Sequence, residues 1–276
     1  MLKTATISLL LCCMFVLAIG DTCSAACRDT LTITGTEIRE QIFPISSLPK
    51  DYQFTFDDSF KEISLKMRDS VSLHALLFPS TDTKGVILYL HGSNGTANIW
   101  GKIAPVYTRL GYDFFLLDYR GYGKSEGKVS EEQQVCNDVQ TAYDFLKTRY
   151  TEKQIIVIGQ SIGTGPAAFL AANNRPKMLI LQAPYYSIED WIHQLEPSLH
   201  IINNPFKFET YRRLEITVCP IVLIHGNADD GVYYGSSEKL SKFLKAKDKF
   251  VTLERERHND FTKNKEYLKL LAQLLE

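Results

Sequence analysis

The fold of this chain is decided by the stretch IIVIGQSIGTGPAAFLAA, residues 155–172. Its first four residues are β-branched and apolar, which predicts a strand buried on both faces, as in a parallel sheet. The alanine-rich end predicts a helix, with Pro166 near its opening turn. Between them, GQSIG forms a turn so sharp that strand and helix approach closely, which favours glycine at Gly159 and Gly163. The stretch therefore predicts strand, tight turn and helix, with Ser161 at the centre.

Ser161 is the candidate nucleophile of this turn. Backbone strain at its position lifts the hydroxyl above the sheet edge, and the N-terminus of the following helix favours negative charge beside it. A glycine-rich turn that contains serine by chance is the alternative interpretation, because short motifs recur. The strand before and the helix after favour the nucleophile. A serine hydroxyl needs a base to remove its proton, so the chain must also supply a histidine oriented by a carboxylate.

Further apolar segments along the chain are typical of strands, and helical patterns separate most of them. In chain order, the eight predicted strands are residues 60–67, 71–78, 86–90, 113–117, 155–158, 178–181, 221–224 and 250–253. The first two form a hairpin, and Ser130 with Gln133 predicts a capping box at the start of a helix. Strands alternating with helices predict an α/β fold, with a mostly parallel central sheet covered by helices on both faces.

Two segments lack this alternation. Residues 191–218 are irregular and contain several aromatic side chains, which predicts a short cap between the sixth and seventh strands. Residues 28–52 show little periodicity and are expected to wrap the domain edge. The whole of residues 27–276 is therefore interpreted as one α/β domain with a short cap.

The base is sought among six histidines. His258 follows the last predicted strand and lies in a polar loop, where a solvated surface histidine is the alternative interpretation. His91 and His225 sit at strand ends beside glycine, where a structural hydrogen bond is the expected role. His193 and His200 fall in the cap and could at most line a pocket. His258 is therefore the candidate base.

The acid should follow a strand end near the nucleophile. Asp229 does so, because it comes directly after the seventh predicted strand. Asp230 beside it and Asp190 after the sixth strand are the alternatives. The order Ser161, Asp229, His258 is the order that α/β-hydrolases use.

A nucleophilic serine also needs hydrogen-bond donors for the oxyanion of its tetrahedral intermediate. The backbone N–H of Ile162 is one candidate, since Ile162 follows the nucleophile. The backbone N–H of Ser93, in the loop after the third strand, is the second. A plain glycine turn is the alternative interpretation of that loop.

Over about residues 55–276 the chain resembles the α/β-hydrolase superfamily, and within it the small-cap branch of serine-aminopeptidase-like hydrolases, esterases and protein depalmitoylases. The motifs that carry the resemblance are HGSNG (91–95), DYRGYGKSEG (118–127), GQSIG (159–163), HGNAD (225–229) and HND (258–260). The resemblance implies an α/β-hydrolase fold and a catalytic triad. We expect no cofactor and no metal. Relatives often have valine at the position of Gly231, so a looser acid loop is expected here.

These observations favour a serine hydrolase that cleaves a carboxylic ester or thioester through an acyl-enzyme. Peptide or amide hydrolysis by the same residues is the first alternative, and a non-catalytic exported binding module is the second, since fold does not fix function. The aromatic cap suggests an apolar pocket for a small or medium acyl chain. An equally good interpretation is that these side chains form the core of the cap itself.

Composition excludes several classes of protein. The 276 residues are 45% hydrophobic and 23% charged with a net charge of −1, and the pI is about 6.6. A nucleic-acid partner is not expected from this balance. The six cysteines include no CxxC pair, and no His-rich cluster has the spacing of metal ligands. Their pairing is not deducible from sequence.

The first residues are typical of an export signal. Lys3 precedes an apolar run over residues 7–20, and small residues follow up to Cys27. Residues 1–26 are therefore predicted to be a signal peptide, and the mature protein to be periplasmic or extracellular. The stretch SAAC, residues 24–27, also resembles a lipoprotein signal, which would place a lipid on Cys27 and the protein on a membrane surface. Ordinary cleavage, lipidation and an uncleaved anchor stay open.

Overall fold

We describe residues 31–276 from a computed structural model, in which they form one unit. The strands of this part are β1 (Thr32–Thr34), β2 (Ser46–Ser47), β3 (Lys61–Lys66), β4 (Ser72–Phe78), β5 (Val86–Leu90), β6 (Asp113–Leu117), β7 (Tyr122–Gly123), β8 (Ile155–Gln160), β9 (Met178–Gln182), β10 (His200–Ile202), β11 (Ile221–Gly226) and β12 (Lys249–Leu253). The helices are α1 (Gly35–Ile42), α2 (Ala97–Trp100), α3 (Ala104–Thr108), α4 (Glu132–Lys147), α5 (Thr164–Asn173), α6 (Ile188–Leu195), α7 (Thr210–Ile216), α8 (Gly235–Ser241) and α9 (Lys265–Leu274). Short 3₁₀ turns lie at Gly101–Ile103, Glu152–Gln154, Ser161–Gly163 and Phe261–Lys263.

The central sheet has eight strands in the order β12-β11-β9-β8-β5-β6-β4-β3. All neighbours from β12 to β6 are parallel, whereas β4 pairs antiparallel with both β6 and β3. These are the eight strands that the sequence predicts, with the initial hairpin at one edge. The predicted α/β class is confirmed.

Strand β8 lies near the middle of this sheet and every one of its residues is buried. Helices cover both faces of the sheet, so a central strand must be apolar on both sides. Ile156 and Ile158 pack into the core with Tyr107 of α3 and Tyr267 of α9, whose hydroxyls are 2.9 Å apart. On the other face, α5 packs against β8 and lies between α4 and α7. This arrangement brings the C-terminal ends of β5, β8 and β11 to one edge of the sheet.

Residues 28–52 show little periodicity in the sequence, yet regular elements lie within residues 32–47. Strand β1 pairs in parallel with β10, and β2 pairs in parallel with β7. Helix α1 begins after Thr34, whose side chain and backbone exchange hydrogen bonds with Glu37 in a capping box. These pairings join residues far apart in the chain, so no local sequence pattern predicts them.

The cap between β9 and β11 is more regular than its sequence suggests, since it contains α6, β10 and α7. Phe206 and Phe208 are buried there, and both pack against Phe43 from the segment after α1. The predicted capping box at Ser130 is also wrong, because α4 begins at Glu132 after the N-cap Glu131. The Glu132 carboxylate instead accepts hydrogen bonds from the backbone N–H groups of Lys207 and Phe208 (3.0 and 2.7 Å), so it ties α4 to the cap.

The predicted signal peptide and Cys27, the candidate site of lipidation, lie outside the described residues. Within residues 31–276, no helix combines the length and the apolar character that crossing a membrane requires.

Candidate active site

The turn after β8 holds Ser161 in a strained conformation. Its φ of 52° lies in the left-handed region, which a non-glycine residue rarely adopts. A Cβ on Gly163 would overlap the carbonyl oxygen of Leu90, and a Cβ on Gly159 would overlap that of Gly163. The glycines are therefore needed because strand, turn and helix approach too closely for side chains. The expected strained turn is present, and Ser161 stands at the C-terminal edge of the sheet.

Ser161, His258 and Asp229 form one chain of hydrogen bonds. His258 Nε2 lies 3.0 Å from Ser161 Oγ, and His258 Nδ1 lies 3.0 and 2.9 Å from the two carboxylate oxygens of Asp229. Because an ionised carboxylate only accepts, Nδ1 carries the proton and donates it. The lone pair of Nε2 is then free to accept from the Ser161 hydroxyl. Such a histidine can take the proton of an attacking serine.

Asp229 is held in the ionised form. Its side chain is fully buried, and burial alone would raise its pKa. Hydrogen bonds from His225 and His258 outweigh that effect and keep the pKa of Asp229 well below its ordinary value of 3.8. The backbone N–H groups of Gly231 and Val232 also donate to Oδ1, each at 2.8 Å.

His225 supports this carboxylate, a role that the sequence did not reveal beyond an expected structural hydrogen bond. Its Nε2 lies 3.1 Å from Asp229 Oδ2 and 3.0 Å from the carbonyl oxygen of Val232, so Nε2 must be the donor. Its Nδ1 is 2.7 Å from Ser237 Oγ and accepts from that hydroxyl. The spacing of His225 and Asp229, four residues apart around a strand end, is the only sequence signal for this contact.

The two alternative acids have other partners. Asp230 is exposed and bonded to Arg257. Asp190 accepts from Tyr233 Oη and, at 2.5 Å, from Lys239 Nζ. Of the three aspartates considered, Asp229 alone bonds to His258 among the described residues. Its assignment as the acid stays a prediction that activity measurements must test.

The two predicted oxyanion donors belong to peptide units that side chains hold in place. His91 Nδ1 donates to the carbonyl of Gly92 (2.7 Å), which belongs to the same planar unit as the N–H of Ser93. Thr164 Oγ1 donates to the carbonyl of Ser161 (2.6 Å), which belongs to the same unit as the N–H of Ile162. Fixing each carbonyl fixes the direction of the N–H on the opposite side of the unit.

The turn that contains Gly92 and Ser93 lies beside the nucleophile, because a Cβ on Gly92 would be 3.6 Å from Ser161 Cβ. The hydroxyl of Tyr122 donates to the carbonyl of Ser93 at 2.8 Å and adds a second restraint. Ser93 and Ile162 stay the predicted donors of the oxyanion hole.

The DYRGYGKSEG segment has structural hydrogen bonds. Asp118 is buried and accepts from the backbone N–H of Ala97 at 2.8 Å. Arg120 donates to Asp138 through two nitrogens (2.6 and 2.8 Å) and also binds Asp69. In residues 31–276 no three His, Cys, Asp or Glu side chains are grouped so that they could hold a metal ion.

Comparison with known proteins defines the class of this protein. Residues 81–212 match the family described as serine aminopeptidase, S33. The chain is 31% identical to protein bem46 of Schizosaccharomyces pombe over 233 residues, which are 80% of this chain and 78% of that protein. It is 30% identical to lysophosphatidylserine lipase ABHD12 of Danio rerio over 176 residues. That match covers 56% of this chain and spans only about half (46%) of the lipase.

Solved structures show the same fold. An esterase of Pyrococcus furiosus superposes with a TM-score of 0.64 at 17% identity, over 84% of this chain and 97% of that one. A monoacylglycerol lipase of Paleococcus ferrophilus superposes with a TM-score of 0.57 at 15% identity, over 74% and 98%. At such identities the likeness extends to the fold alone. The family match over residues 81–212 and the similarity to bem46 show that the chain belongs to the α/β-hydrolase superfamily, in its serine aminopeptidase S33 family.

Proposed function

We propose that this protein is a serine hydrolase that cleaves a carboxylic ester or thioester through an acyl-enzyme. The observation that carries the proposal is the unbroken chain of hydrogen bonds from Ser161 Oγ through His258 to the ionised Asp229. Names of relatives and structural neighbours, which include lipases and esterases, support ester substrates.

The proposed reaction has two stages, acylation of the serine and hydrolysis of the acyl-enzyme. Ser161 Oγ attacks the acyl carbon while its proton moves to His258 Nε2, and the carbonyl π electrons move to the oxygen. The backbone N–H groups of Ser93 and Ile162 stabilise this oxyanion. As the oxyanion collapses, the bond to the leaving group breaks and His258 gives its proton to the alcohol or thiol. Water, deprotonated by His258, then attacks the acyl-enzyme and forms a second oxyanion. As this oxyanion collapses, the bond to Ser161 Oγ breaks, His258 returns the proton to the serine, and the acid is released.

Asp229 orients the imidazole throughout this cycle and stabilises its charged form. It does not need to take the proton, because its pKa is depressed well below that of an ordinary carboxyl group. Ser161 is held in a strained conformation, and hydrogen bonds fix the Gly92–Ser93 and Ser161–Ile162 peptide units. The reacting groups are therefore in place before substrate arrives, which lowers the entropic cost of the reaction.

The buried aromatic residues of the cap pack against the rest of the domain. Phe206 and Phe208 contact Phe43, and the Tyr185 hydroxyl donates to the carbonyl of Ile162 at 3.2 Å. Ile192 is buried as well. Trp191 is half-buried and Leu195 is exposed. We therefore propose that a small or medium acyl chain contacts the outer residues of α6 and not the aromatic cluster beneath it.

Peptide hydrolysis is the second candidate, because the matching family is described as a serine aminopeptidase. An aminopeptidase must bind a substrate ammonium group, for which a carboxylate near the site is the natural partner. Asp190 on the cap already binds Lys239 and the hydroxyl of Tyr233. This occupied carboxylate favours the ester over the peptide.

A graded series of p-nitrophenyl esters, from acetate to palmitate, tests the proposal, with matched thioesters and aminoacyl anilides assayed in parallel. We expect turnover of esters or thioesters with a preference for short or medium chains, and loss of that turnover in Ser161→Ala. Turnover restricted to anilides would favour the peptidase. Ester hydrolysis undiminished in Ser161→Ala would overturn the proposed mechanism, and equal rates across the series would overturn the sized pocket.

We also propose that residues 1–26 are an export signal and that residues 27–276 act outside the cytoplasm. The support is the sequence alone, from Lys3 to the small residues before Cys27. The intact mass of protein from its native host tests this. We expect the mass of a chain that starts near Ala26 or Cys27. If the protein is a lipoprotein, that mass carries a lipid-sized increment, which is absent from Cys27→Ser. A mass that includes Met1 would contradict cleavage.

A further inference from the structure

Gly231 is held at both ends of its backbone. Its N–H donates to Asp229 Oδ1 at 2.8 Å, and its carbonyl accepts from the indole Nε1 of Trp191 at 2.9 Å. Both bonds restrain the loop that follows Asp229, where the glycine leads us to expect a looser loop. One of these bonds reaches the candidate triad acid, and the other reaches helix α6 of the cap.

The missing side chain of Gly231 makes room for the candidate base. A Cβ at this position would lie 2.6 Å from Cγ of His258, 2.7 Å from Cδ2 and 2.9 Å from Nδ1. Its φ is outside the left-handed region, so its backbone conformation does not require glycine. The requirement is one of space, because the backbone of Gly231 lies directly against the imidazole and limits where the ring can go.

Helix α6 also contacts the loop that follows Asp229 at Tyr233. The hydroxyl of Tyr233 donates to Asp190, next to Trp191 in the helix, and Lys239 of α8 binds the same carboxylate at 2.5 Å. The helix is itself anchored by its buried Ile188 and Ile192. Helix α6 therefore holds the loop that follows Asp229 on both sides of Val232.

We propose that Trp191 is a positioning residue. Its indole N–H holds the carbonyl of Gly231, and the backbone of Gly231 in turn keeps the Asp229 carboxylate and the His258 imidazole at hydrogen-bonding distance. The inference rests on the proposed function. It makes the cap part of the catalytic apparatus. A substrate chain that contacts α6 acts on turnover through the Trp191–Gly231 hydrogen bond, and not only on binding.

The variant Trp191→Phe tests this, because it keeps an aromatic ring and removes the N–H donor. We expect a loss of about 10-fold in kcat with KM within about twofold of wild type, the pattern of an interaction that matters in the transition state. The matched control is Ser198→Ala, which removes a different hydrogen bond of the cap, from Ser198 Oγ to Glu196 (2.6 Å). The control should keep wild-type kcat.

A second variant, Gly231→Ala, places a methyl group where the imidazole lies. We expect a loss of about 100-fold in kcat, the scale of a misplacement of about 1 Å in a catalytic group. Circular dichroism and thermal melting check that each variant is folded. In both variants, the far-downfield proton resonance of His258 Nδ1 should shift, whereas in Ser198→Ala it should not.

The double variant Trp191→Phe with Asp229→Ala decides whether Trp191 acts through the triad. If it does, Trp191→Phe causes no further loss of kcat once Asp229 is absent, because contacting residues in one network are not additive. An equal 10-fold loss in both backgrounds, or wild-type kcat in Trp191→Phe, would overturn the inference. Failure of the proposed function is distinguishable, since wild type would then show no turnover of esters or thioesters, or Ser161→Ala would retain that turnover.

Discussion

Replacing Asp229 with asparagine should reverse the hydrogen bond on which the base depends. The amide keeps the shape of the carboxylate, and its oxygen can still accept from the N–H groups of Gly231 and Val232, which now lie 2.8 Å from Oδ1. Its NH₂ group then faces His258 and His225. When this NH₂ group donates to His258 Nδ1, the imidazole proton must be on Nε2. A protonated Nε2 cannot accept the proton of Ser161.

The expected cost is about 10⁴-fold in kcat, the size of the loss when a triad histidine is held in the wrong tautomer. KM should change little, because Asp229 is buried beneath the imidazole and does not reach the acyl group. Steady-state rates with a p-nitrophenyl ester, over a range of pH, measure both parameters.

The neighbouring variant Asp230→Asn is the matched control, since it makes the same chemical change one residue away. Asp230 is exposed and paired with Arg257, so we expect its kcat within about twofold of wild type, as for exposed ion pairs of little energetic weight. A large loss in Asp230→Asn with none in Asp229→Asn would show that Asp229 is not the acid and would assign that role to Asp230. Loss in neither would point to Asp190.

Three further predictions concern stability and reactivity. Because the pKa of Asp229 is depressed in the folded state, its ionised form stabilises the fold fully above the ordinary pKa of 3.8, and this stabilisation is lost as the pH falls below that value. In urea titrations the advantage of wild type over Asp229→Asn should shrink in acid, and an advantage unchanged down to about pH 2 would contradict this. Arg120→Met leaves the buried Asp138 carboxylate without its partner. The free energy of unfolding should fall by about 3–5 kcal/mol. A loss below about 1 kcal/mol would show that the ion pair is not desolvated. Burial raises the pKa of the Cys136 thiol to about 12 and that of Cys219 to about 11, so iodoacetamide at neutral pH should modify both only after unfolding. Peptide mapping checks this, and rapid alkylation of either in the folded protein would contradict it.

The sheet and the candidate triad could be predicted because their signals are local. A continuous apolar strand such as β8 and a five-residue turn such as GQSIG depend on neighbouring residues, and the topology then brings the strand ends together. His258 and Asp229 follow predicted strand ends, so the fold class places them near Ser161. Their hydrogen bonds agree with that placement.

Other features depend on contacts between distant residues, which one sequence does not display. The pairing of β1 with β10 joins two three-residue strands about 170 positions apart, a separation with no periodic signal. The Ser130 capping box failed because Glu132 engages the cap backbone and α4 begins there. The support of Asp229 by His225 and the hold of Trp191 on Gly231 likewise arise only in the folded chain.

Covalent labelling with a fluorophosphonate measures whether Ser161 is an activated nucleophile. Intact mass and peptide mapping of the folded protein should show a single adduct, located on Ser161 and absent from Ser161→Ala. Labelling should be slower by orders of magnitude in His258→Ala, which lacks the base. A folded protein that takes up no label, or that takes it up elsewhere, would contradict the account and favour a binding module built on a hydrolase scaffold.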